Sequence, residues 1–257
     1  MARYFLEFAY NGTRFHGYQI QPNGLSIQET IQKALSVLLK TETEITGCGR
    51  TDSGVHALQY YAHFDFEGAL PSNLIYSLNG ILKKDIVFYN CIPVHDTAHA
   101  RFDASSRSYV YHIDLRPNPF RQETSYYCPF ASDMDMGLMQ EAATLLLNYK
   151  EFDTFCLTDN DAKTKICRLT KSEWIFNQWQ WEFHIKSDRF LRGMIRLIVG
   201  MCLNVGKGKV SLEEVRQALD QKTALKQAWS APASGLLLTD IIYPYIDRND
   251  SGNKKRY

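Results

Sequence analysis

Leu58-Gln59-Tyr60-Tyr61-Ala62-His63-Phe64-Asp65-Phe66 is the stretch on which the fold turns. Leu58, Tyr60, Ala62, Phe64 and Phe66 alternate with Gln59, Tyr61, His63 and Asp65, the period of a β-strand with one core face and one polar face. Upstream, residues 3–10 also read as a strand, and Asn11-Gly12 supplies a turn. Between the two strands, Ser26-x-x-Glu29 is a capping-box signature. It opens a helix whose Ile27, Ile31, Ala34, Leu35, Leu38 and Leu39 share one face, so this helix packs on something flat. Downstream, the pattern predicts a helix over 72–82 and a strand at Ile86-Val87-Phe88-Tyr89. This order suits a split βαβ unit, with antiparallel pairing and helices on one face.

From Ser105 the pattern begins again. Tyr109, Tyr111, Ile113 and Leu115 alternate with Val110, His112 and Asp114, and a loop with Pro117, Pro119 and Pro129 follows. A helix is expected over 136–149, then a connecting segment carrying Lys163, Lys165, Arg168 and Lys171. Trp179, Trp181, Phe183 and Ile185 against Gln180, Glu182, His184 and Lys186 form a second clear strand. Residues 189–205 suit a largely buried helix, Ser211-x-x-Glu214 caps another, and residues 235–242 are a final buried strand. The expected architecture is α+β in two similar halves, each a mainly antiparallel sheet with helices on one face. The halves are 1–104 and 105–246, and the polar tail 247–257 is expected to fray.

At 257 residues, 45% of them hydrophobic, the chain can bury a sizeable core. Its 29 basic and 28 acidic residues nearly cancel, so a nucleic-acid surface has to come from local clustering. The cysteines at 48, 91, 128, 156, 167 and 202 form no C-x-x-C pair or other metal-ligand spacing, which points to a reduced protein. Without a signal-like leader or a spanning apolar run, the expected location is the cytoplasm.

The chemistry centres on Cys48-Gly49-Arg50-Thr51-Asp52-Ser53-Gly54-Val55-His56-Ala57, which sets an acid two residues after a base between glycines. Such a loop can be an Asx-turn between strands or a pre-shaped polar site. Arg189, Arg192 and Arg196 fall at i, i+3 and i+7 and would make one helical stripe. The stripe is either a solvated edge or, on so apolar a helix, partnered by a carboxylate or phosphate; Asp52 would serve, held ionised by the positive charge. Tyr109 and Tyr111 follow Arg101 and Arg107, a mixture suited to single-stranded bases, although Tyr111 also suits sheet core. Two motifs mislead. Asp52-Ser53-Gly54 matches an aspartic-protease core, but its only second copy, Asp250-Ser251-Gly252, lies in the tail; His95-x-x-x-His99 has zinc-helix spacing without the helix, the Glu or a third ligand.

Five stretches together resemble the tRNA pseudouridine synthase A family, the bacterial TruA type. They are Tyr10-Asn11-Gly12 with Phe15-His16-Gly17-Tyr18-Gln19; Gly49 to Ala57; His99-Ala100-Arg101-Phe102-Asp103-Ala104 leading to Tyr109; Phe190-Leu191-Arg192-Gly193-Met194-Ile195-Arg196; and Gly235-Leu236-Leu237-Leu238. One departure is Tyr18, where many relatives carry tryptophan; it bears on packing or RNA contact. The resemblance implies the pseudouridine synthase fold and isomerisation of uridine in the anticodon stem-loop of tRNAs, at positions 38, 39 and 40. It also implies a homodimer and no metal or organic cofactor. In the implied site Asp52 is the nucleophile, Tyr109 stacks on the uracil and handles the C5 proton, and Arg196 pairs with Asp52. Arg50, Leu236 and Leu237 contact the target nucleotide. Arg101, Arg107, Arg192, Lys163, Lys165 and Arg168 would contact RNA. The competing expectation is a non-catalytic RNA-binding protein, with an aspartic hydrolase a distant third.

Overall fold

A computed structural model of the chain describes residues 1–82, 85–157 and 164–246. They fall into two compact units, Met1–Ser106 with the chain from Leu238 onward, and Arg107–Leu237. The chain from Leu238, within the segment read as the final strand, groups with the first unit. The tail 247–257 lies outside the described residues.

The first unit begins with β1 (Ala2–Tyr10), α1 (Ile27–Leu39), β2 (Thr46–Gly47), β3 (His56–Phe66), α2 (Leu74–Ile81) and β4 (Ile86–Val94). β1 is central and antiparallel to both β3 and β4, with Leu6 opposite Ala62 on one side and Cys91 on the other. Because β1 carries its partner along its whole length, β4 runs past the expected residue 89 to Val94. Pro93 is tolerated there because β4 is an edge. The Ser26 side chain accepts from the Glu29 amide at 3.2 Å and starts α1, burying Ile27, Ile31, Ala34, Leu35 and Leu39. Asn79 fastens α2 to β4 by exchanging two bonds with the Phe88 backbone, at 2.9 and 2.7 Å.

The second unit holds β5 (Ser106–Asp114), β6 (Tyr126–Tyr127), α3 (Met136–Leu145), β7 (Leu169–Phe176), β8 (Gln180–Ser187), α4 (Met194–Gly206) and α5 (Leu212–Gln221). Its sheet runs β5-β8-β7, with antiparallel neighbours. β7 occupies part of the segment read as a connection. As an edge strand it fully buries only Ser172 and Trp174, so its alternation is diluted. The expected helix over 189–205 begins only at Met194, because Gly193 takes a left-handed conformation (φ +71°) and caps it. Arg189 and Arg192 therefore precede the helix, and the three-arginine stripe does not form. α5 carries the complete capping box between Ser211 and Glu214.

The chain closes with β9 (Leu236–Ile242), next to β3 in the strand order. The Gln59 side chain accepts from the Ile241 amide at 3.1 Å, and Ser105 donates from its amide to the Ile242 carbonyl at 2.8 Å. This return corrects one expectation. The second face of β3 is not polar and solvated: Tyr61 is 2% exposed and His63 7%, while Leu58, expected in the core, is 56% exposed. Tyr243 packs edge-on against both Phe5 and Tyr61, with ring centres 5.2 Å apart in each pair. The Tyr243 hydroxyl bonds the Ala100 carbonyl, while the Ala100 amide donates to His63 Nδ1 at 3.1 Å. Glu7, 5% exposed, survives burial by accepting from Gln59 at 2.8 Å and Asn90 at 3.2 Å.

His63 makes this face sensitive to acid. Burial, with Arg3 and His99 nearby, lowers its pKa from 6.5 to about 4, against the opposing pull of Asp65 and Asp103. The unfolded chain therefore takes up the proton first, so stability is full above pH 6.5 and is lost as pH falls toward 4. Thermal melts should show a falling Tm across that window. His63→Asn, which keeps an acceptor for the Ala100 amide, should flatten the fall; an unchanged slope would show that the acid sensitivity lies elsewhere.

Candidate active site

The Asp52 loop leaves β2 and enters β3, and it is held by both main-chain and side-chain hydrogen bonds. Cys48 donates to the Tyr61 carbonyl at 2.8 Å, and the buried Tyr60 hydroxyl donates to the Gly49 carbonyl. Thr51, 9% exposed, shares a hydrogen bond with the Tyr10 hydroxyl at 2.8 Å. A turn follows in which the Val55 amide donates to the Asp52 carbonyl at 3.2 Å, with Gly54 at φ +78°. Ser53 ties the turn to the Phe15 carbonyl at 3.1 Å.

Two glycines of the first motif meet this loop face to face. A β-carbon on Gly12 would stand 2.0 Å from the Val55 carbonyl oxygen, and one on Gly17 would stand 2.5 Å from that of Thr51. Gly17 also has φ +82°. No side chain fits at either position. Tyr18 is 3% exposed and stacks on Tyr60 with ring centres 4.5 Å apart, so its departure from tryptophan bears on packing. Asp52 itself is half-buried and Arg50 is exposed beside Gly49, whose missing β-carbon would face open space.

In the second unit, half-buried Tyr109 lies opposite Ile185 in the β5–β8 register and meets Phe190 edge-on at 5.3 Å. The tyrosine strand and the arginine motif are thus neighbours. Arg196, in the first turn of α4, donates from Nε to the Ala231 carbonyl at 2.7 Å, and Ala231 returns its amide to the Arg196 carbonyl at 3.0 Å. The segment before Ala231 touches α4 twice more. The Trp229 carbonyl fills the space where a β-carbon on Gly200 would come within 1.8 Å, and Asn204 donates to the Gln227 carbonyl at 2.9 Å. Gly235 admits the Tyr111 ring, 2.6 Å from where its β-carbon would be, and Tyr111 bonds the Pro232 carbonyl at 2.9 Å, which makes Tyr111 a core residue. Leu236 is buried and Leu237 half-buried.

Asp52 and Arg50 thus belong to the first unit, and Tyr109, Arg196, Leu236 and Leu237 to the second. Of the expected RNA contacts, Arg101, Arg168 and Arg192 are exposed, with Arg101 5.6 Å from the centre of the Phe102 ring. Arg107 donates to the Asp188 carbonyl at 2.8 Å; Arg168 uses the same residue, its amide bonding the Asp188 carboxylate at 2.8 Å. Lys165 directs its ammonium to the Cys156 sulfur at 3.1 Å. Lys163 lies outside the described residues, as does Asp250-Ser251-Gly252. His99 is not free for a metal through Nδ1, which accepts from the Arg101 and Phe102 amides at 3.1 and 3.3 Å. Among the described residues, no three His, Cys, Asp or Glu side chains gather as a metal site, and no helix is long and apolar enough to cross a membrane.

What sequence reading passed over is the supporting set: Gly12, Gly17, Tyr60 and Thr51 around Asp52, and Gly200 and Ala231 around Arg196. Gly12 and Gly17 stand within the quoted motifs and Gly200 in none of them, and nothing local announces which backbone each meets. Ala231 carried no signal.

Residues 142–244 match the family described as tRNA pseudouridine synthase. The chain is 46% identical to the tRNA pseudouridine synthase A of Azobacteroides pseudotrichonymphae over 245 residues, covering 95% of this chain and 98% of that protein. It is 43% identical to the protein of that name from Bacteroides fragilis, covering 94% and 96%. With that of Staphylococcus aureus strain Newman the identity is 33% over 251 residues, covering 96% and 92%. Likeness of this depth along nearly the whole length means that the chain belongs to the tRNA pseudouridine synthase A family.

Proposed function

We propose that this chain isomerises uridine to pseudouridine in tRNA, with Asp52 as the nucleophile. The observation that carries the reading is the near full-length similarity to proteins named for that activity. It is supported by the loop around Asp52, whose hydrogen-bonded, closely packed shape suits a carboxylate that must be pre-aimed. We further take the target uridines to be those at positions 38, 39 and 40 of the anticodon arm, and the enzyme to be a cytoplasmic homodimer. These finer statements rest on the family pattern.

The reaction breaks the N1–C1′ bond, forms a C1′–C5 bond, and replaces the proton of C5 by one on N1. No atom is gained or lost. Asp52 supplies the nucleophile or anion that lets the glycosidic bond break. Arg196 is assigned as its ion-pair partner, since a lone carboxylate in a dry pocket is costly. Tyr109 stacks on the uracil and relays the C5 proton through its hydroxyl. Arg50, exposed beside the open side of Gly49, is assigned to hold the flipped nucleotide by its phosphate. Leu237, the more accessible of the two leucines, and Leu236 close the site so that the detached base is kept while it rotates.

Tritium release from C5-labelled uridine in tRNA reads the chemistry directly. Asp52→Asn should lower kcat by at least about 10³-fold with tRNA affinity retained. Normal turnover by that variant would remove Asp52 from the mechanism, and the absence of any release by the wild type would favour a protein that binds RNA without acting on it. Tyr109→Phe should keep Kd within about twofold while slowing release about 10²-fold. Collapse of binding with normal turnover of bound tRNA would instead show that the Tyr109 hydroxyl binds the substrate and handles no proton.

A further inference from the structure

At the end of α4 remote from Arg196, a cleft of about 390 Å³ opens within the second unit. At 1.5 Å rise per residue, Lys207 lies about 17 Å along the helix axis from Arg196. The walls are aromatic and basic. Phe130 is 59% exposed and Trp229 39%, unusual for rings of this size unless something covers them. Tyr126 backs Trp229 with ring centres 6.1 Å apart, and the Lys207 ammonium lies 5.1 Å from the centre of the Phe130 ring. Lys209 adds a second cation, and none of the lining residues is acidic.

A helix C-terminus by itself repels anions, so the helix end also matters. Here the terminal carbonyls are spoken for: the Lys207 amide donates to Leu203 at 3.1 Å, Gly208 to Val205 at 2.9 Å and Lys209 to Asn204 at 2.9 Å. The two lysines therefore stand over a capped helix end. The Trp229 backbone is equally fixed, its carbonyl seated where Gly200 has no side chain. An aromatic wall on a rigid backbone, beside paired cations, is the chemistry that takes a base by stacking and its phosphate by charge.

We propose that this cleft is a second RNA subsite, which takes one unpaired nucleotide of the substrate, its base against Trp229 and Phe130 and its phosphate on Lys207 and Lys209. The proposal rests on the tRNA reading above for the identity of the RNA. Its role is to anchor the substrate at a point remote from the reacting uridine.

The test uses the full chain with 4-thiouridine-substituted tRNA for photo-crosslinking and peptide mapping, and C5-tritiated tRNA for kinetics. The expected result is a crosslink to a peptide holding Phe130 or Trp229. The Lys207→Glu, Lys209→Glu double variant should raise KM for tRNA about tenfold, with kcat within about twofold. Both lysines are exposed, so this variant should fold, and its Tm checks that. Trp229→Leu should give the same split. An unchanged KM without a crosslink at this cleft overturns the proposal. So does saturation by uridine 5′-monophosphate at Trp229 with an unchanged KM for tRNA, which would make the cleft a mononucleotide pocket. A crosslink at Trp229 in a wild-type chain that releases no tritium would support the subsite while removing the isomerase reading.

Discussion

Two backbone segments of the first unit approach so closely that no side chain can stand between them, and the geometry of Asp52 depends on that contact. At Gly12 and Gly17 even a methyl group would collide with the carbonyls of Val55 and Thr51. Direction is therefore imposed on the loop by this close main-chain contact together with the side-chain bonds of Tyr60, Tyr10 and Ser53. Main chain has few rotatable states, so the backbone that carries Asp52 is held in one conformation. Both supporting segments spring from strands: the first follows β1 and the second runs into β3, and Tyr10 pairs with Ala57 where the two meet.

The second unit solves the same problem with a helix and a strap. Residues 204, 200 and 196 of α4, four apart, meet residues 227, 229 and 231 of the strap, two apart. Four helical residues rise about 6 Å, so the three contacts tie the strap to the helix over about 12 Å of its length. Gly200 is the rung that lets the strap lie against the helix. The Arg196 guanidinium is consequently referenced to the helix and to the strap at once, which limits its drift far better than helix geometry alone.

Much of this was legible from sequence. β1, α1 and β3 declare themselves by apolar periodicity, and α5 by a capping box that the structure contains in full. What escaped has one cause in common, contact with residues distant in the chain. β7 reads as a connector because it is an edge with one buried stripe of Ser172 and Trp174. The second face of β3 reads as polar because Tyr61 and His63 are amphipathic residues whose cover, Tyr243 and residues 98–104, comes from far downstream. α4 starts later than its apolar pattern suggests because Gly193, in a left-handed conformation, separates Arg189 and Arg192 from the helix. For the candidate site, the residues with charge or reactivity stood out in the motifs, whereas Ala231, which holds Arg196 through its carbonyl, has no chemistry by which a sequence could flag it.

The return of β9 to the side of β3 bears on how the protein is made. Translation delivers residues 1–106 early, with β1, β3 and β4 able to pair at once. The strand next to β3 beyond its short pairing with β2, and the Tyr243 that covers one of its faces, leave the ribosome more than 100 residues later. Until then the nascent first unit carries an unpaired strand edge and exposed aromatic rings, features that invite association with other chains. A gene fragment ending after residue 106 would keep that edge permanently, whereas a circular permutant that begins at β9 would be born with it already filled.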